Sequence, residues 1–531
     1  MRREAFTEEE RRRLQPYFTN TDRPVFALTN LPEVVKGALF ARYSRSDKSL
    51  RRLFLAEFLD GGGTASGSPE AGLSRAEGLY EKIFSQYGDD SVAQLGGAHL
   101  AVEGASNILT KVLERGRLMA YLEQSTRYVP YTRKLGGRWR YGVPPEVAGS
   151  GLADAYRRTL DAAFETYARW LEPLQQHLER TLPKGAEPPA VRRRTLRAKA
   201  LDALRGLLPA ATLSNVGLYG SGQSYENLLL RMRAHELGEA QDCAAAMLRE
   251  LRRVIPAFLK RVDLEERGVR WSRYLKETRA ASHTVAAELC PPAGSSPGEP
   301  PSTVTLTDFD PEGELKVAAA VLYESTGLSD PQALDRARRL SSSERGRLLA
   351  AYVGERANRR HKPGRAFERT SYRFDILSDY GAFRDLQRHR ILSIEWQRLG
   401  ARHGYVIPPE ITTAGAERDW RAVMETCAEL HAALLRRGPE AAAAYAIPMA
   451  YRIRYVMQMN AREAMHLLEL RSSSQGHPSY RRIAQEMHRL IAAEAGHREL
   501  AGAMRFVDHS TAEEGRLQAE LRTARKRPGQ E

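Results

Sequence analysis

Residues 291–302 govern how this chain can be organised. They read Pro-Pro-Ala-Gly-Ser-Ser-Pro-Gly-Glu-Pro-Pro-Ser, a composition in which proline stiffens the backbone while glycine and serine keep it solvated. The run is read as a linker. It divides the 531 residues into an N-terminal part, 1–290, and a C-terminal part, 303–510. A charged tail, 511–531, has no core-forming face after Leu521 and is expected to be a solvated, fraying helix. A chain of this length corresponds to about two to four domains. A second small-residue stretch, Gly61 to Gly67, is expected to be an exposed loop.

Both parts carry helical patterns. Glu239 to Leu248 combines helix formers with apolar residues at helical spacing, and Arg462 to Leu470 does the same. Strand patterns are shorter. Tyr372-Arg373-Phe374-Asp375-Ile376-Leu377 alternates at period two, and Gly97 to Glu103 does so more weakly. The fold class predicted is α+β and helix-rich. A repeat relates the two parts. Arg115-Gly116-Arg117 before Leu118-Met119-Ala120 is matched by Arg388-His389-Arg390 before Ile391-Leu392-Ser393. Leu208-Pro209, with Arg233 24 residues after the proline, is matched by Ile447-Pro448, with Arg471 23 residues after. The common order of these pairs points to duplication and divergence.

Arg388-His389-Arg390 carries the sharpest chemistry. Guanidinium forks grip phosphate through two parallel hydrogen bonds, and an imidazole between them adds a donor or a stacking face. Three such groups are costly to bury without a partner, so they suit the lining of a site for something anionic and flat, such as a nucleotide. The net charge of +15 favours polyanionic partners: nucleotides, nucleic acid or folates with acidic tails. The alternative is an arginine-rich composition spread over solvated helices. The densest clusters, Arg192-Arg193-Arg194 and Arg359-Arg360-His361-Lys362, are short, and no RNA-binding signature or zinc-finger spacing accompanies them. That argues against nucleic acid as the partner. No apolar run approaches the ~20 residues of a membrane span, and Met1 to Phe6 opens no signal-peptide core. Cys243, Cys290 and Cys427 form no CxxC pair and have no nucleophile motif around them. Buried structural thiols in a reducing cytoplasm are expected.

These residues resemble the flavin-dependent thymidylate synthases, the family usually called ThyX, whose signature has the form RHRxxSxNExSxRY. This chain distributes that signature. The C-terminal part has Arg388-His389-Arg390 and Ser393, but Arg398 at the later serine position. The N-terminal part has Arg115-Gly116-Arg117, seven residues, then Ser125, within Glu123-Gln124-Ser125-Thr126-Arg127-Tyr128. There Gly116 replaces the histidine and Leu122 the asparagine. Asn460-Ala461-Arg462-Glu463-Ala464-Met465-His466-Leu467-Leu468-Glu469-Leu470-Arg471 resembles the family's NARSxxHFLxLR helix. Phe367-Glu368-Arg369-Thr370-Ser371-Tyr372 resembles its EHxxF segment, with Arg369 for His and Tyr372 for Phe.

The resemblance implies two tandem ThyX-like mixed helix and sheet domains. Because the family assembles as a homotetramer, it implies that this tandem chain forms a homodimer, a pseudo-tetramer. It implies FAD as cofactor, with dUMP, methylenetetrahydrofolate and NADPH as partners in a methyl transfer that makes dTMP. Arg388, His389 and Arg390 resemble the flavin-contacting motif. Asn460, Arg462 and His466 match other flavin positions, the last two sharing a helix face, and Ser371 matches a hydroxyl beside the flavin. Glu123, Ser125 and Arg127 alternate, so on an extended segment they point one way; they resemble the dUMP-contacting residues. Arg205, four residues before Pro209, matches a nucleotide-binding arginine. Arg471, and Arg233 in the first repeat, match the arginine credited with favouring the ionised pyrimidine, since a nearby guanidinium lowers the pKa of a carbonyl-flanked ring nitrogen. No metal ligand set is implied.

The plain alternatives are a solvated helix face with ordinary ion pairs for the flavin set, and surface charges for Arg127 and Arg205. Ala444 stands opposite Arg205, Arg398 opposite the serine, and Gly116 opposite His389. The first repeat thus keeps nucleotide positions and the second keeps flavin positions. Division of labour between the halves and loss of activity both give that pattern. A non-catalytic flavin- or nucleotide-binding descendant and a basic nucleic-acid-binding protein are the rival readings.

Overall fold

The computed structural model describes residues 5–44, 46–59, 94–184, 187–290, 303–438 and 440–510. The linker 291–302, the tail 511–531 and the stretch Gly61 to Gly67 lie outside the described residues. Among those described, seven strands occur: β1 (Gly97–Ser106), β2 (Met119–Glu123), β3 (Leu213–Ser221), β4 (Val304–Phe309), β5 (Ser371–Asp379), β6 (Ser393–Trp396) and β7 (Arg452–Asn460). They form a three-stranded sheet in the order β1-β3-β2 and a four-stranded sheet in the order β4-β5-β7-β6. The β2–β3 pairing and every pairing of the larger sheet are antiparallel. Helices make up most of the rest, so the class is α+β as the patterns indicate. No helix among the described residues is long and apolar enough to cross a membrane.

Strands hand over to helices through one local device. β3, β5 and β7 each end beside a residue whose side-chain oxygen accepts a backbone N–H of the next turn. Ser221 accepts from Ser224 at 3.3 Å, Asp379 from Ala382 at 2.8 Å, and Asn460 from Glu463 at 2.9 Å. Such a cap satisfies an amide that a helix start leaves open. The helices that follow are Gly222–Arg233, Tyr380–Leu386 and Ala461–Arg471. The predicted strand at 372–377 lies within β5, that at 97–103 within β1, and the predicted helices within Gly238–Leu251 and Ala461–Arg471.

The compact units do not follow the linker. One holds residues 1–105, 112–123 and 215–294; the other holds 106–111, 124–214 and 295–531. The middle of the first repeat therefore packs in the same unit as the second repeat. The reason is apolar. Helices Ala153–Thr181 and Pro189–Leu204 contribute Phe164, Tyr167, Leu201 and Leu204 to the core that also contains Trp420, Met424, Phe374 and Met457. The Leu208-Pro209 and Ile447-Pro448 segments also cross antiparallel. Pro209 faces Pro448, Ala210 N–H donates to Ile447 O (2.8 Å), and Met449 N–H donates to Leu208 O (2.9 Å). Proline has no amide to give, so its neighbours carry these bonds.

The thiols divide. Cys427 is buried and Cys243 half-buried, and burial pushes both up to about 12. Cys290 departs from the expected burial: it is exposed, at the end of Arg270–Leu289, a helix with no buried residue.

Inside the second unit, Arg356 and Glu469 form a two-pronged ion pair with both N–O distances at 2.6 Å and both side chains 1% exposed. Arg356 also donates to the carbonyls of His361 and Ala503, and Glu469 accepts from Phe506 N–H at 3.3 Å. Removing one member of a buried pair strands a charge. Glu469→Ala is expected to lower the unfolding free energy in urea by about 3–5 kcal/mol, and the double change Arg356→Met/Glu469→Leu by much less. Equal losses in the single and double variants would show that the pair does not act this way.

Candidate functional site

Residues of both repeats converge on Asp385 within the second unit. Asp385 lies near the end of the Tyr380–Leu386 helix, one turn before Arg388. Arg205 reaches it from the short turn Arg205–Leu207 at 3.4 Å, and Arg388 approaches at 3.8 Å. Burial opposes ionisation of Asp385, yet Arg388, Arg205, Arg471 and Arg127 together hold it well below the usual carboxylate range. Arg205 is 3% exposed, and its Nη2 has no hydrogen-bond partner. A buried guanidinium nitrogen without an acceptor is costly and favours an anionic oxygen there.

Arg127 forks onto Asp202, Nε to Oδ1 at 2.7 Å and Nη2 to Oδ2 at 2.9 Å, while Nη1 donates to the Tyr480 hydroxyl at 3.0 Å. The guanidiniums of Arg127 and Arg471 lie 5.9 and 5.6 Å from the Tyr480 ring centre, so one phenol serves both. The expectation that Glu123, Ser125 and Arg127 share one extended face is corrected. Glu123 ends β2 in the first unit. The chain then turns at Ser125, whose carbonyl accepts from Tyr128 and Val129 N–H at 3.3 and 3.1 Å. The turn buries Arg127 against Asp202 and leaves Tyr128 exposed.

A second set gathers around His389. Arg471 Nε–H donates to His389 Nε2 at 3.0 Å. A guanidinium only donates, so Nε2 is the acceptor, and the ring proton sits on Nδ1, 3.0 Å from Glu463 Oε1. Burial first, then Arg471, His466 and Lys362, push His389 well below its ordinary range. Burial pushes Glu463 up to about 7 against the pull of Lys362, Arg462 and Arg390. The His466 ring meets His389 edge-on with centroids 5.5 Å apart, and burial with Lys362, Arg359 and Arg471 lowers it to about 4. Ser371 pairs with Asn460 across β5 and β7, and Asn460 caps the helix at Glu463. Ser371, Asn460, Glu463, His389 and His466 thus form an unbroken series of neighbours. Arg462 is turned to the Pro363 carbonyl (3.0 Å), and Arg390 is exposed.

His389, Glu463 and His466 bring possible ligand atoms within 4.8 Å of one another. Arg471 already occupies His389 Nε2, and Lys362, Arg359 and Arg462 add positive charge. That field opposes a divalent cation and suits an electron-rich or anionic group.

The first repeat's counterparts lie in the other unit and have a different setting. Arg233 donates to Val262 O at 2.9 Å and to Asp263 at 2.6 Å. A side chain at Gly116 would start 2.6 Å from the Tyr121 hydroxyl, which donates to the Gly116 carbonyl at 2.7 Å. Tyr121 therefore fills the space that a histidine would need.

Sequence reasoning missed Asp385, Glu463, Asp202 and Tyr480. Asp385 and Glu463 had a signal, each an acidic residue one helical turn before a basic residue already singled out, Arg388 and His466. Asp202 and Tyr480 had none, because they meet Arg127 across 75 and 353 residues.

The family model for thymidylate synthase complementing protein matches residues 39–257 and 305–495, one segment on either side of the linker. A UPF0159 protein of Chlamydia pneumoniae is 39% identical over 533 residues, covering 98% of each chain. A UPF0159 protein of Thermoplasma acidophilum is 32% identical, covering 92% of this chain and 98% of its own length. A flavin-dependent thymidylate synthase of Mycobacterium sp. (strain JLS) is 29% identical over 180 residues, 34% of this chain and 67% of that protein. With these two segments matched over most of its length, the chain belongs to the thymidylate synthase complementing protein family.

Proposed function

We propose that this protein is a flavin-dependent thymidylate synthase or a close relative, methylating dUMP to dTMP with methylenetetrahydrofolate and NADPH, and working in the cytoplasm as a homodimer. The observation that carries this is the meeting of Arg127 and Arg205 from the first repeat with Arg388 and Arg471 from the second, inside one compact unit around Asp385. The two parts of the divided signature supply one cluster. Four guanidiniums with an unsatisfied donor on Arg205 fit the phosphate of a nucleotide.

The donor set beside it fits a flavin. His389 and His466, both held neutral, offer flat faces, and Ser371, Asn460, Arg388 and Arg390 offer hydrogen-bond donors for ring edges and pyrophosphate. FAD, when bound, supplies the hydride chemistry. The chain's own residues bind and orient. His389 and Tyr480 fix Arg471, whose positive charge favours the ionised pyrimidine. The thiols of Cys243 and Cys427 stay protonated at neutral pH, in keeping with a chemistry that needs no enzyme thiolate.

The purified protein is expected to be yellow, with a flavin absorption band, and His389→Ala/Arg390→Ala to lose flavin on dialysis; a colourless protein that cannot be loaded with FAD would sink the proposal. Ser125→Ala and Arg205→Lys are expected to weaken dUMP binding about tenfold, the worth of one charge-assisted hydrogen bond, while retaining flavin. Equal loss of both ligands would contradict a divided site. Tritium release from 5-tritiated dUMP, with methylenetetrahydrofolate and NADPH present, is expected from the wild-type protein. Flavin retention without tritium release would assign a non-catalytic binder instead.

A further inference from the structure

Asp385 is a carboxylate in the middle of an arginine cluster, and binding of a nucleotide phosphate there leaves it without a task. Its contacts, 3.4 Å to Arg205 Nη1 and 3.8 Å to Arg388 Nη1, are long beside the ~2.7–2.9 Å of charge-assisted hydrogen bonds. Arg356–Glu469 in the same unit shows what a structural pair looks like, with two contacts of 2.6 Å. Two other guanidiniums that act on Asp385 are committed elsewhere, Arg127 to Asp202 and Arg471 to His389. Arg205 Nη2, deeply buried, still has no acceptor. Asp385 thus offsets the positive field of the cluster without saturating its donors.

The other acidic groups do not substitute for it. Asp202 is consumed by Arg127. Asp379, which faces Arg205, is spent on the helix cap, and burial raises its pKa. A fixed negative charge beside a bound anion repels it in proportion to the anion's own charge.

We propose that Asp385 is a resident counter-ion that stands in for the ligand's anionic group in the free protein and trims the field of the cluster, admitting a nucleoside monophosphate and penalising nucleotides of higher charge. This rests on the nucleotide reading of the arginine cluster. Asp385 is a specificity residue in this role and takes no part in bond making.

The test is titration calorimetry of the full chain with deoxyuridine, dUMP, dUDP and pyrophosphate, comparing wild type with Asp385→Asn, Asp385→Ser and the charge-retaining Asp385→Glu. In the uncharged variants, deoxyuridine binding is expected to be unchanged, dUMP at least tenfold tighter, and dUDP to gain more than dUMP. Asp385→Glu is expected to keep the wild-type order. Weaker dUMP binding in the uncharged variants, or a gain that does not grow with ligand charge, overturns the counter-ion role. If no nucleotide binds any form, yet pyrophosphate binds the uncharged variants more tightly, the nucleotide reading falls and the counter-ion stands. If neither class binds, both fall. The serine variant serves where the asparagine variant does not fold.

Discussion

The two-pronged pair between Arg356 and Glu469 holds the helix from which much of the candidate site projects. Burying two charges is expensive and is offset only when geometry is good and the remaining donors and acceptors are filled. Here most are filled: the His361 and Ala503 carbonyls accept two further guanidinium hydrogens, and Phe506 N–H donates to a carboxylate oxygen. Glu469 lies two residues, about 200° of helical turn, from Arg471. The pair therefore grips one side of the Ala461–Arg471 helix while Arg471 projects from the other. Asn460 fixes the start of the same helix by capping it. With both rotation and start set, Glu463, His466 and Arg471 arrive around His389 already oriented.

The two parts of the chain have settled their arginines in different ways. In the first, Arg233 is matched by Asp263, and Arg261 forks onto Glu226 at 3.1 and 2.8 Å. Tyr121 takes the space at Gly116. In the second unit, Arg205 and Arg388 share Asp385 at long range, and Arg471 turns to a neutral imidazole. Close carboxylate pairing takes up Arg233 and Arg261 in one place, while Arg205 Nη2 stays without an acceptor in the other. The crossing of Leu208-Pro209 with Ile447-Pro448 makes the asymmetry useful. It fixes the segment that follows Arg205 against the second repeat, where the counterpart residue Ala444 has no guanidinium to offer.

What could be read from sequence was what adjacent residues decide. The alternation from Tyr372 to Leu377 and the helical spacing from Arg462 to Leu470 are local patterns, and both became elements with little shift of boundary. The Arg388-His389-Arg390 and Asn460-to-Arg471 motifs were legible for the same reason: each is a short string. Events between distant residues were not. The linker marks a break in sequence, yet apolar burial gathers 124–214 with the second repeat. Ser125 looked extended because Glu123, Ser125 and Arg127 alternate; a carboxylate at Asp202, 75 residues away, draws Arg127 inward. Cys290 looked like an ordinary core thiol, but it sits at the end of a helix with no buried residue, which composition does not reveal.

The electrostatics of the site then follow from burial and from the guanidinium charge gathered within it. Burial first, and then the positive charge of neighbouring cations, depresses His389, His466 and also His477, which burial and then Arg205 lower to about 3. At neutral pH these rings are uncharged and flat, while the guanidiniums beside them keep their charge. The site therefore has two characters. Around Arg205 it is cationic and, at Nη2, short of an acceptor. Around His389 and His466 it is neutral and aromatic, and Arg471 joins the two through its bond to His389 Nε2. A ligand pair with one anionic end and one flat ring system matches both, and a simple anion or a divalent metal matches neither as well. The neutrality of the imidazoles is thus a consequence of burial first and of the neighbouring cations second.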